Sequence, residues 1–122
     1  MASALNWFEI PVTDLNRAKT FYSKLLGGEL KTEALGEGMT AVLPYQNGVG
    51  GALVQTEAWH YKPSQEGSVV YLNGGDDLSV PLSRVEAAGG KVLADKMSIG
   101  EAGFIAFFLD TEGNKVGLHS LG

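Results

Sequence analysis

The spacing of apolar residues predicts that the chain opens with a β-strand followed by a helix. Aromatic and β-branched residues are frequent over residues 5–12, as is typical of strands. Alternation gives this strand two faces, one with Phe8, Ile10 and Val12 and the other with Trp7, Glu9 and Pro11. Asp14 is a favourable N-cap, apolar residues then recur at helical spacing, and Gly27 is a favourable helix end.

The rest of the chain predicts three further strands and then a second pass through the same order. In the first half the strands are expected at 29–32, 39–44 and 51–55. In the second half a strand at 69–72 precedes a helix that begins near Ser79, since Pro81 is tolerated only in the first helical turn, and that ends at Gly89. The last strands are expected at 91–93, 104–109 and 115–120.

This repeated order predicts an α+β fold made of two βαβββ modules. An offset of 62 residues aligns Asp76 with Asp14 and Gly89 with Gly27. The modules span residues 4–58 and 67–122, and a polar connector at 59–66 joins them. The 122 residues therefore predict one domain built from two similar halves.

Charge and composition exclude several function classes. Nine Lys and Arg residues against fourteen Asp and Glu residues give a formal net charge of −5, which disfavours a nucleic-acid-binding role. No apolar run approaches the roughly 20 residues that cross a bilayer, and the first residues show no secretory signal. The absence of Cys excludes disulfides and thiol chemistry. We therefore expect a cytoplasmic protein without a membrane or nucleic-acid partner.

Two motifs connect the repeat to a known family. The first lies at the opening helix and reads Val12-x-Asp14-Leu15-x-x-Ala18-x-x-Phe21-Tyr22, ending in Leu26-Gly27. The second closes the chain and reads Asp110-Thr111-Glu112-Gly113-Asn114-x-Val116. With the repeat, they resemble the vicinal oxygen chelate superfamily, which includes glyoxalase I, bleomycin resistance proteins and extradiol dioxygenases. The resemblance implies that the two modules form an incomplete barrel around a cleft.

In the metalloenzymes of that superfamily, four strands each offer a His or Glu to a divalent ion. The matching positions here are Trp7, Ala52, Val69 (or Val70, if Asp77 matches Asp14) and Gly117. None of these side chains donates a lone pair to a hard cation. A slip of one residue adds only Asn6 and Ser68 as weak oxygen donors. We therefore expect a branch without the usual metal ligands and without a cofactor, the alternative being a divalent metal at an atypical site.

Two polar residues are candidates for chemistry in the cleft. Glu9 and His119 lie two positions beyond ligand positions, on the strand face expected to line the cleft. A carboxylate beside an imidazole can act as acid and base or can orient a polar group of a substrate. The structural alternative is that Glu9 forms a polar contact at the module junction and that His119 is exposed near the C-terminus.

Aromatic and apolar residues are the candidates for ligand binding. Trp7 offers a stacking surface where a metal ligand would stand, and the same cleft is expected to contain Tyr71, Phe107 and Met39. Core packing is the favoured alternative for Phe107 and Met39. In the connector, Trp59 and His60 predict a lid or a subunit contact, against the alternative of a packed linker.

Two functions are compatible with this pattern. The first is a metal-free protein of the bleomycin resistance type that binds a small, partly aromatic or amphipathic molecule. The second is a lyase or isomerase related to lactoylglutathione lyase that uses Glu9 and His119 or an offset metal site. An open sheet edge and an apolar cleft also predict a homodimer.

Overall fold

The computed structural model describes residues 3–35 and 38–122 and contains two four-stranded sheets. The first sheet and its helix consist of β1 (Trp7–Pro11), α1 (Leu15–Leu26), β2 (Lys31–Leu35), β3 (Gly38–Val42) and β4 (Gly50–Gln55). The second set consists of β5 (Tyr71–Asn73), α2 (Ser79–Leu82), β6 (Lys91–Ser98), β7 (Phe104–Leu109) and β8 (Lys115–Ser120). Short 3₁₀ segments occupy Ala58–His60 and Gly100–Ala102.

The two sheets have the same topology. The strand order is β1-β4-β3-β2 in the first and β5-β8-β7-β6 in the second. In each sheet the first strand runs parallel to the last, and the remaining neighbours are antiparallel. The predicted α+β fold of two βαβββ modules is therefore confirmed, and the sheets do not close into a barrel.

Helix α1 begins and ends where its sequence predicts. The side chain of Asp14 accepts a hydrogen bond from the backbone N–H of Arg17 at 3.1 Å. At the other end Gly27 adopts φ 73°, and its N–H donates to the carbonyl of Ser23. A left-handed residue at this position is easiest for glycine, which has no Cβ. The apolar stripe of the helix is buried and consists of Leu15, Ala18, Phe21, Tyr22 and Leu25.

A side chain from the last strand of each module caps the helix of the same module. Gln55 at the end of β4 accepts the N–H of Leu15 at 2.7 Å. Ser120 at the end of β8 accepts the N–H of Leu78 at 3.0 Å. The equivalence of Leu15 and Leu78 gives an offset of 78 − 15 = 63 at the helix starts. Asp77 is therefore the counterpart of Asp14, and the predicted match to Asp76 was one residue early.

The second helix is much shorter than its apolar spacing predicts. After Leu82 the backbone continues to Gly89 as hydrogen-bonded turns. The hydroxyl of Ser83 donates to the carbonyl of Val80 at 2.7 Å, the group that an α-helix would offer to Arg84. Arg84 instead donates to the carbonyl of Pro81, three residues back, and Pro81 has no N–H of its own. The hydrogen bond from Ser83 to Val80 thus coincides with the end of the α-helix after one turn.

Strand boundaries also differ from the predictions in several places. Strand β6 extends to Ser98 rather than ending at Leu93, and irregular register against β7 hides its period. In the first module the strands lie at 7–11 rather than 5–12 (β1), 31–35 rather than 29–32 (β2), 38–42 rather than 39–44 (β3) and 50–55 rather than 51–55 (β4). In the second module β5 lies at 71–73 rather than 69–72. The predicted limits of β7 and β8 are confirmed.

The two modules share one hydrophobic core on the helix side of the sheets. Phe21 and Tyr22 of α1 lie with ring centroids 5.0 Å apart, and Phe21 also packs 5.8 Å from Phe108 of β7. All three rings are fully buried. A first-module helix therefore packs directly on a second-module strand. Within the described residues, neither helix is long and apolar enough to cross a bilayer.

The turn between β7 and β8 joins the two modules through buried polar groups. The carboxylate of Asp110 accepts hydrogen bonds from the hydroxyl of Tyr22 at 2.7 Å and from the side-chain amide of Asn114 at 3.0 Å. The same Asn114 amide donates to the carbonyl of Pro11 at the end of β1, at 2.8 Å. Burial and the contact with Asp110 raise the pKa of Tyr22 well above its ordinary value. The second motif thus connects the two modules through hydrogen bonds.

Glu112 of the same turn receives donors from the start of α1. Its Oε1 accepts the backbone N–H groups of Thr13 and Asp14, each at 2.9 Å. Its Oε2 accepts the guanidinium Nε of Arg17 at 2.6 Å. Burial alone would raise the pKa of Glu112, but these donors outweigh it and lower the pKa to about 2.

Glu112 makes the stability of the protein pH-dependent in acid. Since its folded pKa of about 2 lies below the ordinary value of 4.5, its contribution is present above pH 4.5 and is lost as the pH falls toward 2. Glu112→Gln should lower the free energy of unfolding at pH 7 by about 1–3 kcal/mol, since it removes hydrogen bonds to a charged acceptor. Urea denaturation between pH 7 and 3 measures both effects.

In that experiment the variant should lose less stability than the original protein between pH 5 and pH 3. Glu86→Gln removes an exposed carboxylate from the turns after α2 and serves as the matched control. Equal acid sensitivity in Glu112→Gln and in the unchanged protein would contradict the assignment.

Candidate functional site

The candidate site lies on the face of each sheet that points away from the helices, here called the helix-free face. The register places Glu9 opposite Ala52 in the first sheet, with Trp7 on the same face. In the second sheet, Tyr71 and Phe107 both lie opposite Gly117. The predicted division of β1 into an apolar face and a face with Trp7 and Glu9 is confirmed, because Ile10 lies in the core.

Two large cavities lie along β5. The first, here called the intermodule cavity, has a volume of about 1000 Å³ and is lined by both modules, including Phe8, Glu9, Tyr45, Val69 and Tyr71. The second, here called the β8 cavity, has a volume of about 1020 Å³ and is lined by second-module residues, including Asp76, Ile99, Ile105 and His119. The residues Tyr71, Leu72 and Asn73 line both cavities. Strand β5 therefore separates two neighbouring spaces of ligand size.

Aromatic rings in this region lie directly against glycines on the strands. A Cβ at Gly117 would lie 2.5 Å from the ring of Tyr71, and a Cβ at Gly50 would lie 2.5 Å from the ring of Tyr45. Real Cβ atoms do not approach other atoms so closely, so each ring occupies the space that a side chain would need. Tyr71 and Tyr45 are nevertheless 47% and 52% exposed. Each ring thus covers a glycine and keeps part of its surface open to solvent.

The positions that match the superfamily's metal ligands do not fit a metal ion. Trp7 and Ala52 share the helix-free face of the first sheet, and Gly117 lies on that of the second. The fourth position is Val70 when Asp77 is matched with Asp14, and Val69 otherwise. Indole, methyl, isopropyl and hydrogen provide no ligand for a hard cation. A Glu at Gly117 would also collide with the ring of Tyr71. Over residues 3–35 and 38–122, no three His, Asp or Glu side chains converge as a metal site would require.

Glu9 is held by the connector between the modules. The hydroxyl of Tyr61 donates a hydrogen bond to Oε1 of Glu9. This hydrogen bond, with some burial, raises the pKa of Tyr61. The connector is fixed to the second module as well, since the N–H of Ser64 donates to Oδ1 of Asn114 at 3.1 Å. The connector thus reaches from β8 to the edge of the intermodule cavity.

The predicted pairing of Glu9 with His119 is not found. Glu9 lines the intermodule cavity, whereas His119 lines the β8 cavity. The Nε2 atom of His119 lies 2.6 Å from the carbonyl of Ala102. Because a carbonyl only accepts, Nε2 is the donor, and a neutral ring leaves Nδ1 as the acceptor. The two residues occupy different modules and sit on opposite sides of β5, so the order of strands explains their separation.

The predicted aromatic residues divide between lining and support. Tyr71 lines both cavities, as its position on β5 requires. Trp7 packs edge-on against Tyr45, with ring centroids 6.1 Å apart, and Phe107 packs 5.7 Å from Tyr71. Neither Trp7 nor Phe107 is among the residues that line the two large cavities. Instead, Trp7 packs against Tyr45 and Phe107 packs against Tyr71, and these two tyrosines line the cavity.

Three predicted binding residues lie elsewhere. Met39 is opposite Gln55, whose side chain binds the start of α1, so register places Met39 on the helix side of the first sheet and not in the cleft. Trp59 is 87% exposed, and neither Trp59 nor His60 lines the two cavities. Both have left-handed backbone conformations, with φ 61° and 57°, which is unusual for residues with a side chain. The connector instead contacts Glu9, a residue of the cavity wall, through Tyr61.

Sequence reasoning missed Tyr45 and Tyr61. Tyr45 lies between β3 and β4, and its ring reaches the cavity only because Gly50 leaves space for it. An aromatic residue near a glycine of the next strand was the available signal. Tyr61 belongs to the aromatic connector that drew attention to Trp59 and His60, but only the path of the chain shows which of the three turns inward.

Comparisons with known proteins agree with this fold. The family model described as the Glyoxalase/Bleomycin resistance protein/Dioxygenase superfamily matches residues 4–118. A glyoxylase-like domain-containing protein of Didymella fabae is 32% identical over 117 residues, which cover 90% of this chain and 88% of that protein. A putative glyoxylase, CFP32, of Mycobacterium bovis is 30% identical over 93% of this chain, which spans only 44% of the mycobacterial protein.

Solved structures give the same result. Maize (Zea mays) glyoxalase I is similar with a TM-score of 0.69 and 25% identity, and the match covers 95% of this chain and 45% of the maize chain. TnmS3, an antibiotic binding protein from Streptomyces sp. CB03234, is similar with a TM-score of 0.70 and 23% identity over 100% of this chain and 99% of TnmS3. With the family model matched along almost the whole chain, this protein belongs to the Glyoxalase/Bleomycin resistance protein/Dioxygenase superfamily.

Proposed function

We propose that this protein binds a small, partly aromatic or amphipathic molecule in the intermodule cavity, without a metal ion. The observation that carries the proposal is the replacement of the metal-ligand set by residues that cannot bind a hard cation, beside a cavity of about 1000 Å³ with tyrosine rings in its wall. An apolar cavity with a few polar groups is the usual form of a small-molecule site. Planar side chains offer stacking surfaces to a planar ligand.

One protein of the same fold and length supports binding as the function. TnmS3, which shares the fold over its whole length, is described as an antibiotic binding protein. The glyoxalase I of maize is twice as long, so an activity that belongs to that whole protein does not transfer to one such chain. The separation of Glu9 from His119 also removes the acid–base pair that one of the two forms of the alternative lyase or isomerase function uses, the other form being an offset metal site. Sequestration of a ligand needs neither a metal ion nor such a pair.

Binding should depend on the two cavity tyrosines. A neutral probe, 1-naphthalenemethanol, is titrated by calorimetry into the unchanged protein and into Tyr45→Ala and Tyr71→Ala. We expect each variant to bind the probe about 2- to 10-fold more weakly, since each loses an aromatic contact. Val80→Ala, which truncates an exposed side chain on α2, is the control and should bind like the unchanged protein.

The melting temperature of each variant is measured beside the titration, so that unfolding is not mistaken for lost binding. Absence of saturable heat with the unchanged protein, across several naphthalene and quinoline probes, would refute the proposal. An equal loss in Val80→Ala and in the tyrosine variants would refute the assignment to this cavity.

Divalent metal ions should leave the thermal stability unchanged. A ligand that binds only the folded state raises the melting temperature by mass action, by an amount that grows with its concentration. We expect no stoichiometric increase when Zn²⁺, Ni²⁺, Mn²⁺ or Mg²⁺ is added to tag-free, chelator-treated protein. An increase that saturates at one ion per chain would show that the metal-free site is wrong.

We also propose that the protein is a homodimer. Strands β2 and β6 each lie at one end of their sheet, opposite β1 and β5, and each has one neighbour within the sheet. An edge of each sheet therefore remains available for association. Apolar side chains on and next to β6 are exposed, namely Leu93, Met97 and Ile99. Sedimentation equilibrium at micromolar concentration should give twice the chain mass of 12.9 kDa, and a mass of one chain would contradict the proposal.

A further inference from the structure

We propose that Glu9 makes the intermodule cavity selective for aromatic ligands that carry a protonated amine. This inference rests on the proposed function, because it names the class of ligand that the same cavity prefers. The geometry behind it is the position of one carboxylate in a cavity wall that is otherwise uncharged. A cationic amine beside an aromatic ring matches that wall in both charge and shape.

The charge of the cavity comes from a single residue. Fourteen described residues line the intermodule cavity, and Glu9 is the one charged side chain among them. The others are apolar, aromatic, hydroxyl or amide residues, including Tyr45, Asn47, Val69 and Tyr71. An anionic ligand would have to approach this carboxylate with no opposite charge in the wall. A cationic ligand gains from it.

The carboxylate of Glu9 keeps an acceptor free. Tyr61 occupies Oε1, and within the described residues Oε2 has no hydrogen-bond partner. The hydrogen bond from Tyr61 also fixes the orientation of the carboxylate at the cavity edge. An ammonium group has three donors and can use Oε2 without displacing Tyr61. Tyr61 is therefore a positioning residue for this contact.

Nearby lysines do not neutralise Glu9. Lys62 and Lys115 line a small cavity of about 190 Å³ together with Glu9. No Lys or Arg nitrogen among the described residues forms a salt bridge with Glu9. The Nζ atom of Lys115 instead lies 5.5 Å from the ring centroid of Phe107. The negative charge therefore remains available to a ligand.

The tyrosine rings of the cavity add to this selectivity. A cation near the face of an aromatic ring is attracted by its negative quadrupole. Tyr45 and Tyr71 line the cavity together with Glu9 and are each about half exposed. The formal net charge of −5 acts in the same direction, since it attracts cations from a distance. Among the residues that line the cavity, however, only Glu9 offers a full negative charge at the distance of a hydrogen bond.

The test compares three probes that share one ring: 1-naphthylmethylamine, 1-naphthalenemethanol and 1-naphthoate. Calorimetric titration at pH 7 should show that the amine binds about tenfold more tightly than the alcohol and that the carboxylate binds most weakly. In Glu9→Gln the amine should lose its advantage over the alcohol, to within about twofold, because the affinity for the amine falls more than the affinity for the alcohol.

Two further variants separate the local charge from other effects. Glu86→Gln removes the same charge from an exposed position after α2 and should keep the tenfold preference. Tyr61→Phe keeps the carboxylate and should retain a preference for the amine above fivefold. Loss of the preference in Glu86→Gln as well would show that the field of the whole protein selects the ligand and would overturn the assignment to Glu9.

The outcomes distinguish this inference from the function on which it rests. If none of the three probes binds the unchanged protein, the proposed binding function fails. If the alcohol binds and the amine binds no more tightly, binding stands and the selectivity through Glu9 is wrong. If the naphthoate binds most tightly, the sign of the recognised charge is wrong.

Discussion

The fold depends on the polar contact between the turn of residues 110–114 and the start of helix α1. The carboxylate of Asp110 accepts a hydrogen bond from the hydroxyl of Tyr22. The carboxylate of Glu112 accepts hydrogen bonds from backbone N–H groups and from the guanidinium of Arg17. All of these donors belong to the first module and both acceptors to the second. Hydrophobic contacts such as Phe21 on Phe108 bring the modules together, but they are not directional. Charged hydrogen bonds with defined partners fix the relative position of β1 and β5, and that position defines the intermodule cavity.

The residues that join the modules are different from those at the metal-ligand positions, so the fold is kept although the metal ligands are absent. The residues that join the modules lie at the helix side and at the ends of strands, whereas Trp7, Ala52 and Gly117 lie on the helix-free face. Substitution on one face of a strand leaves the contacts of the other face intact. At Gly117 the exchange is also steric, because the ring of Tyr71 fills the space of a side chain. Glycine at position 117 therefore both lacks a metal-ligating side chain and leaves room for the ring of Tyr71 in the cavity wall.

The sequence predicts those parts of the structure that local chemistry determines. Asp14 and Gly27 define α1 to the residue, an unbroken apolar run defines β7, and Val116 and Leu118 alternate with polar or small residues in β8. Prediction failed where the outcome depends on competing or distant contacts. The hydrogen bond from Ser83 to Val80 coincides with the end of α2, which apolar spacing cannot reveal. The face on which Met39 lies follows from its register against Gln55, and the separation of Glu9 from His119 follows from the position of β5. Each of these requires knowledge of which strand lies beside which.

Glu9 illustrates why the two interpretations of a polar residue need not exclude each other. Its hydrogen bond with Tyr61 is a contact at the module junction, as the structural interpretation expected. A carboxylate at the edge of an apolar cavity loses part of its hydration, and one hydroxyl donor compensates for only one of its two oxygens. Glu9 lines a cavity whose other lining residues are uncharged. The hydrogen bond from Tyr61 occupies one oxygen of the Glu9 carboxylate and leaves the other as a free acceptor in a cavity wall that is otherwise uncharged. This free acceptor gives the cavity its preference for a cation.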